Sequence, residues 1–291
     1  MILSKKILGI LRQIISINFF QFLIIKYFSR IFWKNKKKKL FRDYKCINFK
    51  DVIRKKKSDT VYIFGSGYSF NFLTNDEINN IKKNDVITFN WGHFQNKFEP
   101  LLHLSRRVGD WNSSYYDNSL ISKKWQKGVT EYFELLKNNE SYKKTILIMQ
   151  WEAHARAIRY AVFNNLIEPN REIIPYETDY KNLFSINNNN LLAHKNSTMT
   201  SAINLAAKCG WKNIILTCIN LDQGYFWLQK DKTTEIQEVK GNINKEHSST
   251  KLGIKNTIIK IKYDLKKAKI NLYRHRNSNG LEGLLDIEPN K

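Results

Sequence analysis

The chain has 291 residues, of which 42% are hydrophobic and 13% aromatic, so it can fold around a substantial core. Its net charge of +23 resembles that of a nucleic-acid-binding protein, but the charge is unevenly distributed. Residues 1–57 carry 17 Lys and Arg against two acidic residues (+15), whereas residues 58–291 carry 32 against 24 (+8). This division disfavours a nucleic-acid groove in the main domain and favours contact between an N-terminal arm and anionic lipid.

The three cysteines, Cys46, Cys209 and Cys218, show no CxxC spacing. An odd and sparse set of this kind argues against a disulfide framework and fits a reducing compartment. The histidines also lack paired spacing such as HxxxH, so the sequence predicts no zinc site.

The N-terminal segment, residues 1–39, combines an interrupted apolar run with a basic cluster. Apolar residues recur at helical spacing over residues 7–33, but the longest stretch without a charge, residues 13–25, is shorter than the about 20 residues that a bilayer span needs. The basic cluster KNKKKK follows at residues 34–39. Such a pattern is typical of an amphipathic helix on an anionic membrane surface, although packing of this helix on protein remains an alternative. We predict a membrane-associating segment at 1–39, followed by a charged linker at 40–57.

Residues 58–291 are predicted to form an α/β domain on a parallel sheet. A buried-strand pattern at 60–64 is followed by the glycine turn GSGYS at 65–69, by a helix that ends near Lys83, and by a second strand at 85–90. Strand, glycine turn, helix and strand in this order are typical of a Rossmann-like, parallel-sheet nucleotide-binding domain. Further strands are predicted at 145–150, 213–219 and 270–273, and further helices at 197–209 and 255–269.

Polar residues follow three of these elements at the edge where parallel strands end, which is where such sheets bind ligands. Amides of the glycine turn and of a helix N-terminus suit a phosphate, and the carboxamide of Asn90 suits a ribose or a base. A plain tight turn, a turn-forming Asn90 and a helix N-cap are the alternative explanations of the same residues. The predicted nucleotide-binding residues are Gly65, Ser66, Gly67, Asn90, Ser197 and Thr198.

The order of these elements resembles the bacterial sialyltransferases of glycosyltransferase family 42. The similarity continues at residues 210–220 (GWKNIILTCIN), at 255–257 (KNT) and at 269–278, and it covers about 60–100 and 195–290. It implies a GT-A-variant domain with a lid that transfers a sialic acid or related nonulosonic acid. The implied donor is a CMP-sugar, the implied acceptor is a cell-surface glycan such as lipooligosaccharide, and the implied displacement is inverting. No essential metal and no cofactor other than this donor substrate are implied.

The resemblance also assigns catalytic roles within residues 222–250, a polar stretch that the composition predicts as a mobile lid. His247 is implied as the general base on the acceptor hydroxyl, and Tyr225 as the residue that steadies the departing phosphate. An unperturbed histidine has a pKa near neutrality, which suits a base. A strict alignment on KNT places Gly253 at the position of the base, so His247 reaches that role through an insertion in the lid.

Two further positions depart from the family pattern. Asn220 replaces an aspartate that follows a strand, and Asp222 replaces a tyrosine soon after it. The departures keep open a non-catalytic nucleotide-binding protein at the membrane. A pyrophosphokinase-like protein is also an alternative, because it opens with the same strand and glycine turn, but the sequence lacks the clustered acidic Mg²⁺ ligands that it needs. A metal-dependent sugar transferase is less well supported, because its acidic D-x-D is matched only by Glu177-Thr178-Asp179, which we expect in a loop. The predicted location is the cytoplasmic face of the inner membrane, with no nucleic-acid partner and homo-oligomerisation open.

Overall fold

The computed structural model describes residues 40, 42–106, 120–151, 156–179, 181–186, 190–221, 226, 250, 252–278 and 280–289. The chain divides into two compact units, Met1–Tyr44 and Lys45–Lys291. In the described part of the first unit, the Tyr44 amide donates a hydrogen bond to the Leu40 carbonyl over 3.1 Å. The predicted membrane-associating segment 1–39 lies outside the described residues. None of the helices in the described ranges combines the length and the apolarity that a membrane span requires.

The second unit is built on a parallel sheet, whose strands pair in the order β1-β6-β5-β4-β3-β2-β8-β9 with β7 beside β6. In chain order, the strands in the described residues are β1 (Lys45–Cys46), β2 (Thr60–Phe64), β3 (Asp85–Phe89), β4 (Leu102–Ser105), β5 (Ile146–Gln150), β6 (Glu172–Asp179), β7 (Leu191–Ala193), β8 (Asn213–Thr217) and β9 (Asn271–Arg274).

Helices connect these strands and lie on both faces of the sheet. Their N-termini are capped where the sequence provides a short polar side chain: Thr74 and Glu77 form a capping box, and Ser197 is an N-cap. The described α-helices are α1 (Phe49–Ile53), α2 (Asn75–Lys82), α3 (Leu120–Asn138), α4 (Arg156–Phe163), α5 (Thr198–Lys208) and α6 (Ile254–Lys267), and short 3-10 helices occupy Tyr68–Phe72, Asn90–Phe94 and Glu140–Tyr142.

The central strand β2 is buried on both faces, as its uninterrupted TVYIF pattern predicts. Val61 and Ile63 pack in the core that contains residues of α5 and α6. Tyr62 and Phe64 point to the opposite face, into a second cluster. The sheet is therefore covered on both sides at the position where the candidate site begins.

The strand order reverses direction at β2. Strands β3 to β6 follow one another on one side of β2, whereas β8 and β9 lie on the other. Helix α2, which connects β2 to β3, buries Ile78 and Ile81 in the Tyr62 cluster. Helix α6, which connects β8 to β9, buries Ile258 and Ile261 in the opposite core. Connections that leave on opposite faces open a crevice at the carboxyl ends of the strands, which is where open α/β sheets bind ligands.

Part of the predicted linker 40–57 belongs to the sheet unit. In strand β1, Lys45 pairs with Glu172 of β6. Helix α1 follows, starts with a capping box at Asn48, and buries Phe49 and Val52. Burial of these two apolar side chains holds the segment on the sheet unit. The high charge of the segment does not indicate this in the sequence.

The expectation that Glu177-Thr178-Asp179 lies in a loop is wrong. These residues form the carboxyl end of β6, and Glu177 pairs with Leu191 of β7. The Asp179 carboxylate accepts the backbone N–H groups of Lys181 and Asn182 over 3.0 and 3.1 Å, so it closes a turn. The predicted lid, by contrast, lies outside the described residues apart from Phe226 and Thr250.

Candidate functional site

The glycine turn lies at the carboxyl end of β2 and packs against the segment that follows β8. The Gly65 amide donates to the Thr217 carbonyl over 2.8 Å, and the Gly67 amide donates to the Cys218 carbonyl over 2.9 Å. A Cβ on Gly65 would lie 2.6 Å from the Cys218 carbonyl oxygen, and one on Gly67 would overlap the Asn220 side chain. Close packing within the protein therefore explains both glycines, as in the tight-turn alternative.

This packing leaves the Ser66 amide of the turn available. The N–H groups of Gly65 and Gly67 donate to carbonyl groups of the protein. The Ser66 N–H, in contrast, has no acceptor among the described residues. Ser66 is half-buried. If this turn contacts a phosphate through its backbone, Ser66 is the residue that has a donor for it.

Asn220 holds the turn in place. Its Oδ1 accepts hydrogen bonds from the Ser69 hydroxyl over 2.7 Å and from the Ser69 amide over 3.3 Å. These bonds require only an acceptor oxygen, which an amide provides as well as a carboxylate does. Asparagine and aspartate at position 220 would therefore serve this contact equally well.

Asn90 begins the segment after β3 with a left-handed backbone, φ 48°. Its Nδ2 donates to the Thr198 hydroxyl over 3.2 Å, although the two residues are far apart in the sequence. Its Oδ1 is buried and has no hydrogen-bond partner among the described residues. A buried amide oxygen without a partner costs about 1–3 kcal/mol, a cost that a ligand donor at this position would remove.

A buried polar network supports the Asn90 backbone. The Asn90 carbonyl accepts the Tyr132 hydroxyl over 3.0 Å and the His93 Nδ1–H over 3.0 Å. Behind Tyr132, His103 Nε2 lies 2.7 Å from the Tyr132 hydroxyl, and His103 Nδ1 lies 2.8 Å from the Thr88 hydroxyl. Since Tyr132 donates its proton to Asn90, His103 donates from Nε2 and accepts at Nδ1.

This arrangement requires uncharged side chains, and their burial provides them. Burial lowers the pKa of His103 well below its ordinary value, so the ring is neutral. Burial raises the pKa of Tyr132, so the hydroxyl keeps its proton. His103 and Tyr132 therefore form a neutral support beneath the Asn90 turn.

The loop before α5 presents Thr198 to Asn90. Ser197 is the N-cap of the helix and accepts the Met199 amide over 3.2 Å, which confirms the N-cap explanation for this residue. Asn196 has a left-handed backbone, φ 63°, and its Nδ2 donates to the Thr257 hydroxyl of α6 over 3.0 Å. Helices α5 and α6 thus begin next to each other at the carboxyl edge of the sheet.

His275 lies at the same edge, directly after β9, but it is 4% exposed. Its Nδ1 accepts the Asn277 amide over 3.3 Å, and its Nε2 lies 3.4 Å from a Glu77 carboxylate oxygen and 3.3 Å from one of Glu288. Burial lowers the pKa of His275. Both ring nitrogens face protein groups, so this histidine has a structural role.

The predicted catalytic residues His247 and Tyr225 lie outside the described residues. Gly253, which stands where a strict alignment places the base, is described: it is the N-cap of α6 with φ 78°. A left-handed backbone favours glycine, so the conformation at the start of α6 explains why residue 253 is a glycine. Within the described residues, no three His, Cys, Asp or Glu side chains converge as ligands for a metal.

The structure therefore brings Asn90 and Thr198 into contact, and it places the glycine turn at the end of the neighbouring strand, where Phe64 pairs with Thr88. The supporting residues His103 and Tyr132 are missing from the sequence prediction, because the family resemblance does not extend over residues 101–194. One signal was available: His103 lies between Leu102 and Leu104 in a short apolar run, as in a buried strand.

The fold and the site define an α/β protein with a mostly parallel sheet and a polar candidate site at the point where the strand order reverses. No profile of a known protein family matches the chain, and no curated protein sequence matches it significantly.

The solved structures that are similar to the chain include the following two. One is the monofunctional alpha-2,3-sialyltransferase Cst-I from Campylobacter jejuni, with a TM-score of 0.44 and 14% identity over 79% of this chain and 80% of that one. The other is the MAf glycosyltransferase from Magnetospirillum magneticum AMB-1, with a TM-score of 0.40 and 13% identity over 77% of this chain and 35% of that one. The similarity is one of fold, at low sequence identity.

Proposed function

We propose that this protein is a glycosyltransferase that moves a sialic acid or related nonulosonic acid from a CMP-sugar to a glycan acceptor such as lipooligosaccharide, with inversion and without an essential metal. The observation that carries the proposal is the 3.2 Å contact between Asn90 and Thr198 beside the glycine turn. These residues lie at the carboxyl ends of parallel strands where the strand order reverses, the usual place for a nucleotide in such sheets.

The polar groups at this edge suit a cytidine nucleotide. With Asn90 Nδ2 directed to Thr198, the buried Asn90 Oδ1 is an acceptor that lacks a donor. The exocyclic amine of cytosine or a ribose hydroxyl would supply that donor, whereas uracil presents a carbonyl oxygen at the corresponding position. The Ser66 amide offers an N–H group to the single phosphate, and the N-terminus of α5 adds positive potential.

The proposed reaction is one displacement. The acceptor oxygen attacks the anomeric carbon of the donor sugar while the bond from that carbon to the phosphate oxygen breaks, and CMP leaves with the electron pair. His247 takes the proton of the acceptor hydroxyl. The Tyr225 hydroxyl donates a hydrogen bond to the departing phosphate, whose charge must be stabilised by positioned donors.

The proposed location is the cytoplasmic face of the inner membrane. Support comes from residues 1–39, in which apolar residues at helical spacing precede the cluster KNKKKK. A peripheral helix on anionic lipid would hold the enzyme beside a membrane-bound acceptor.

Isothermal titration of the full chain with CMP, UDP and GDP, with and without Mn²⁺, tests the proposal. The full chain is needed because residues 45–53 contribute β1 and α1 to the sheet unit. We expect CMP to bind without added metal and to bind more tightly than UDP. Binding of UDP plus Mn²⁺ without binding of CMP would refute the assignment. Tight CMP binding with no transfer from any CMP-sugar would favour the non-catalytic alternative.

A further inference from the structure

Helix α6 exposes large apolar side chains on the face that points away from the sheet. Ile259 is 49% exposed and Tyr263 is 62% exposed, and Leu252, just before the helix, is also 62% exposed. Ile259 and Tyr263 are four residues apart and therefore lie along one line of the helix surface, and Leu252 precedes Gly253, the N-cap of the helix. The opposite face of α6 is buried in the core through Ile254, Ile258, Ile261 and Leu265.

Lysines flank this apolar line on both sides. At 100° per residue, Lys255 and Lys266 lie on one side of the line, and Lys260 and Lys267 lie on the other. All four lysines are exposed. The Lys267 ammonium lies 4.2 Å from the centre of the Tyr263 ring. We call the surface formed by these seven residues, Leu252, Lys255, Ile259, Lys260, Tyr263, Lys266 and Lys267, the α6 outer face.

The acidic residue within α6 does not neutralise this surface. Asp264 is half-buried, at the border between the outer face and the core face. Lys262, the remaining lysine of the helix interior, is paired with Asp286 over 3.2 Å and contributes little free charge. The α6 outer face therefore carries four positive charges around exposed apolar groups, without an exposed acid within the helix.

We propose that the α6 outer face docks on the surface of an anionic lipid bilayer. Apolar side chains flanked by lysines are the pattern of a helix that lies in the membrane interface. Each lysine near an anionic leaflet contributes attraction, and the apolar line enters the boundary of the acyl chains. The surface therefore has the two kinds of group that such binding requires.

Other occupants fit this surface less well. A second copy of the α6 outer face would oppose like charges. A nucleic acid would satisfy the lysines but would leave Leu252 and Ile259 exposed to its phosphates. An anionic lipid surface accommodates both the charge and the apolar side chains.

Docking through α6 also determines where the candidate site lies relative to the bilayer. The first turn of α6 contains Thr257, which accepts the hydrogen bond from Asn196, and Thr198 begins α5 two residues after Asn196. A bilayer under the α6 outer face therefore lies beside the carboxyl edge of the sheet. This consequence rests on the proposed function, since it would bring a membrane-bound acceptor to the site, whereas the docking itself does not depend on the reaction.

Flotation of the full chain with phosphatidylglycerol vesicles tests the charge and the apolar contributions separately. We expect Ile259→Ser/Tyr263→Ser and Lys255→Glu/Lys266→Glu each to lower the partition coefficient about tenfold or more. The matched control is Leu135→Ser on α3, because Leu135 is also exposed (43%) but lies beside Glu131 and Glu134. That control should bind as the wild type does, and unchanged binding of both double variants would overturn the proposal.

A local probe separates this face from residues 1–39, which are also expected to bind lipid. In a Cys46→Ser background, Ile259→Cys and Leu135→Cys are labelled with an environment-sensitive dye, since Cys209 and Cys218 are buried. On phosphatidylglycerol vesicles the dye at 259 should report an apolar environment and the dye at 135 should not. A bound protein without a signal at 259 would overturn the proposal. The proposal would also be overturned if RNA displaced the protein from vesicles and Ile259→Ser/Tyr263→Ser left vesicle binding unchanged.

Titration with CMP distinguishes failure of the docking proposal from failure of the proposed function. CMP binding in solution should be the same for the wild type and for both double variants, because the α6 outer face points away from Asn90 and Thr198. Normal CMP binding with unchanged vesicle binding would reject the docking face alone. Normal docking without CMP binding would reject the proposed function alone.

Discussion

The two edges of the sheet are built differently. At the amino edge, the Asp85 carboxylate accepts the amides of Lys57 and Ser58 over 3.0 and 3.4 Å and the Trp211 indole N–H over 2.9 Å. Asp85 and Trp211 are both almost fully buried. At the carboxyl edge, Asn90, Cys218 and Asn196 adopt left-handed backbones, and Asn90 keeps a buried oxygen without a partner in the described residues.

The contrast indicates that the two edges of the sheet have different roles. The amino edge satisfies its buried charge internally and closes the core, so it contributes stability. Left-handed residues also occur at the amino edge, as at Asn170 and Lys269, so the carboxyl edge is distinguished by the buried Asn90 oxygen that has no partner in the described residues. Trp211, part of the segment that carries the family resemblance, therefore belongs to the stabilising edge.

The largest expected effect concerns catalysis at the carboxyl edge. If His247 removes the acceptor proton, His247→Ala should lower the transfer rate about 10²–10⁴-fold. CMP affinity should barely change, because a base contacts the acceptor and not the nucleotide. Initial rates with a CMP-sugar donor and titration with CMP measure the two quantities.

The matched variant for this test is Tyr225→Phe. Its effect should shrink with a donor that carries a better leaving group, because Tyr225 is proposed to support the departing phosphate. The effect of His247→Ala should not shrink in the same way. A full transfer rate in His247→Ala would exclude the base role. The role would then pass to a water-mediated base, since His275 is enclosed by protein groups.

At the amino edge, Asp85→Ala should destabilise the protein by about 3 kcal/mol, because it leaves the buried Trp211 N–H and backbone amides without an acceptor. Denaturant unfolding of the two proteins measures the loss. Asp85→Asn, which retains one acceptor oxygen, should lose less. CMP affinity should remain unchanged at temperatures where the variant is folded. A loss of affinity without a loss of stability would contradict the proposed division between the edges.

The same contrast explains which features the sequence predicts. Strands β2, β3 and β8 were predicted within about two residues, because each is a continuous apolar run bounded by turn signals. Strand β4 was missed because its alternate residues His103 and Ser105 are polar, and only the buried network with Tyr132 makes them suitable for the core. Strand β1 is too short to leave a pattern.

For the site, the sequence predicts which residue types occur better than it predicts why the fold needs them. The glycine turn was predicted at the end of β2, but the packing that requires its glycines comes from residues 218–220, which local sequence does not reveal. The contact between Asn90 and Thr198 was implied only by the rule that the carboxyl ends of parallel strands share an edge. Its distance and the unpaired oxygen depend on the tertiary fold.

The smallest expected effect isolates the Asn90 side chain from its backbone. Asn90 has φ 48°, so replacement by alanine would add backbone strain to the loss of the carboxamide. Asn90→Gly removes the carboxamide and still permits the left-handed backbone. We expect it to weaken CMP binding about tenfold, the equivalent of one lost hydrogen bond of about 1.4 kcal/mol.

The matched control is Asn165→Gly: Asn165 is also left-handed, φ 53°, but it is exposed and precedes β6 at the amino edge. Titration with CMP and thermal unfolding of both variants should show similar stability and a loss of affinity in Asn90→Gly alone. Equal CMP affinity in the two variants would mean that the unpaired Asn90 oxygen does not face the nucleotide.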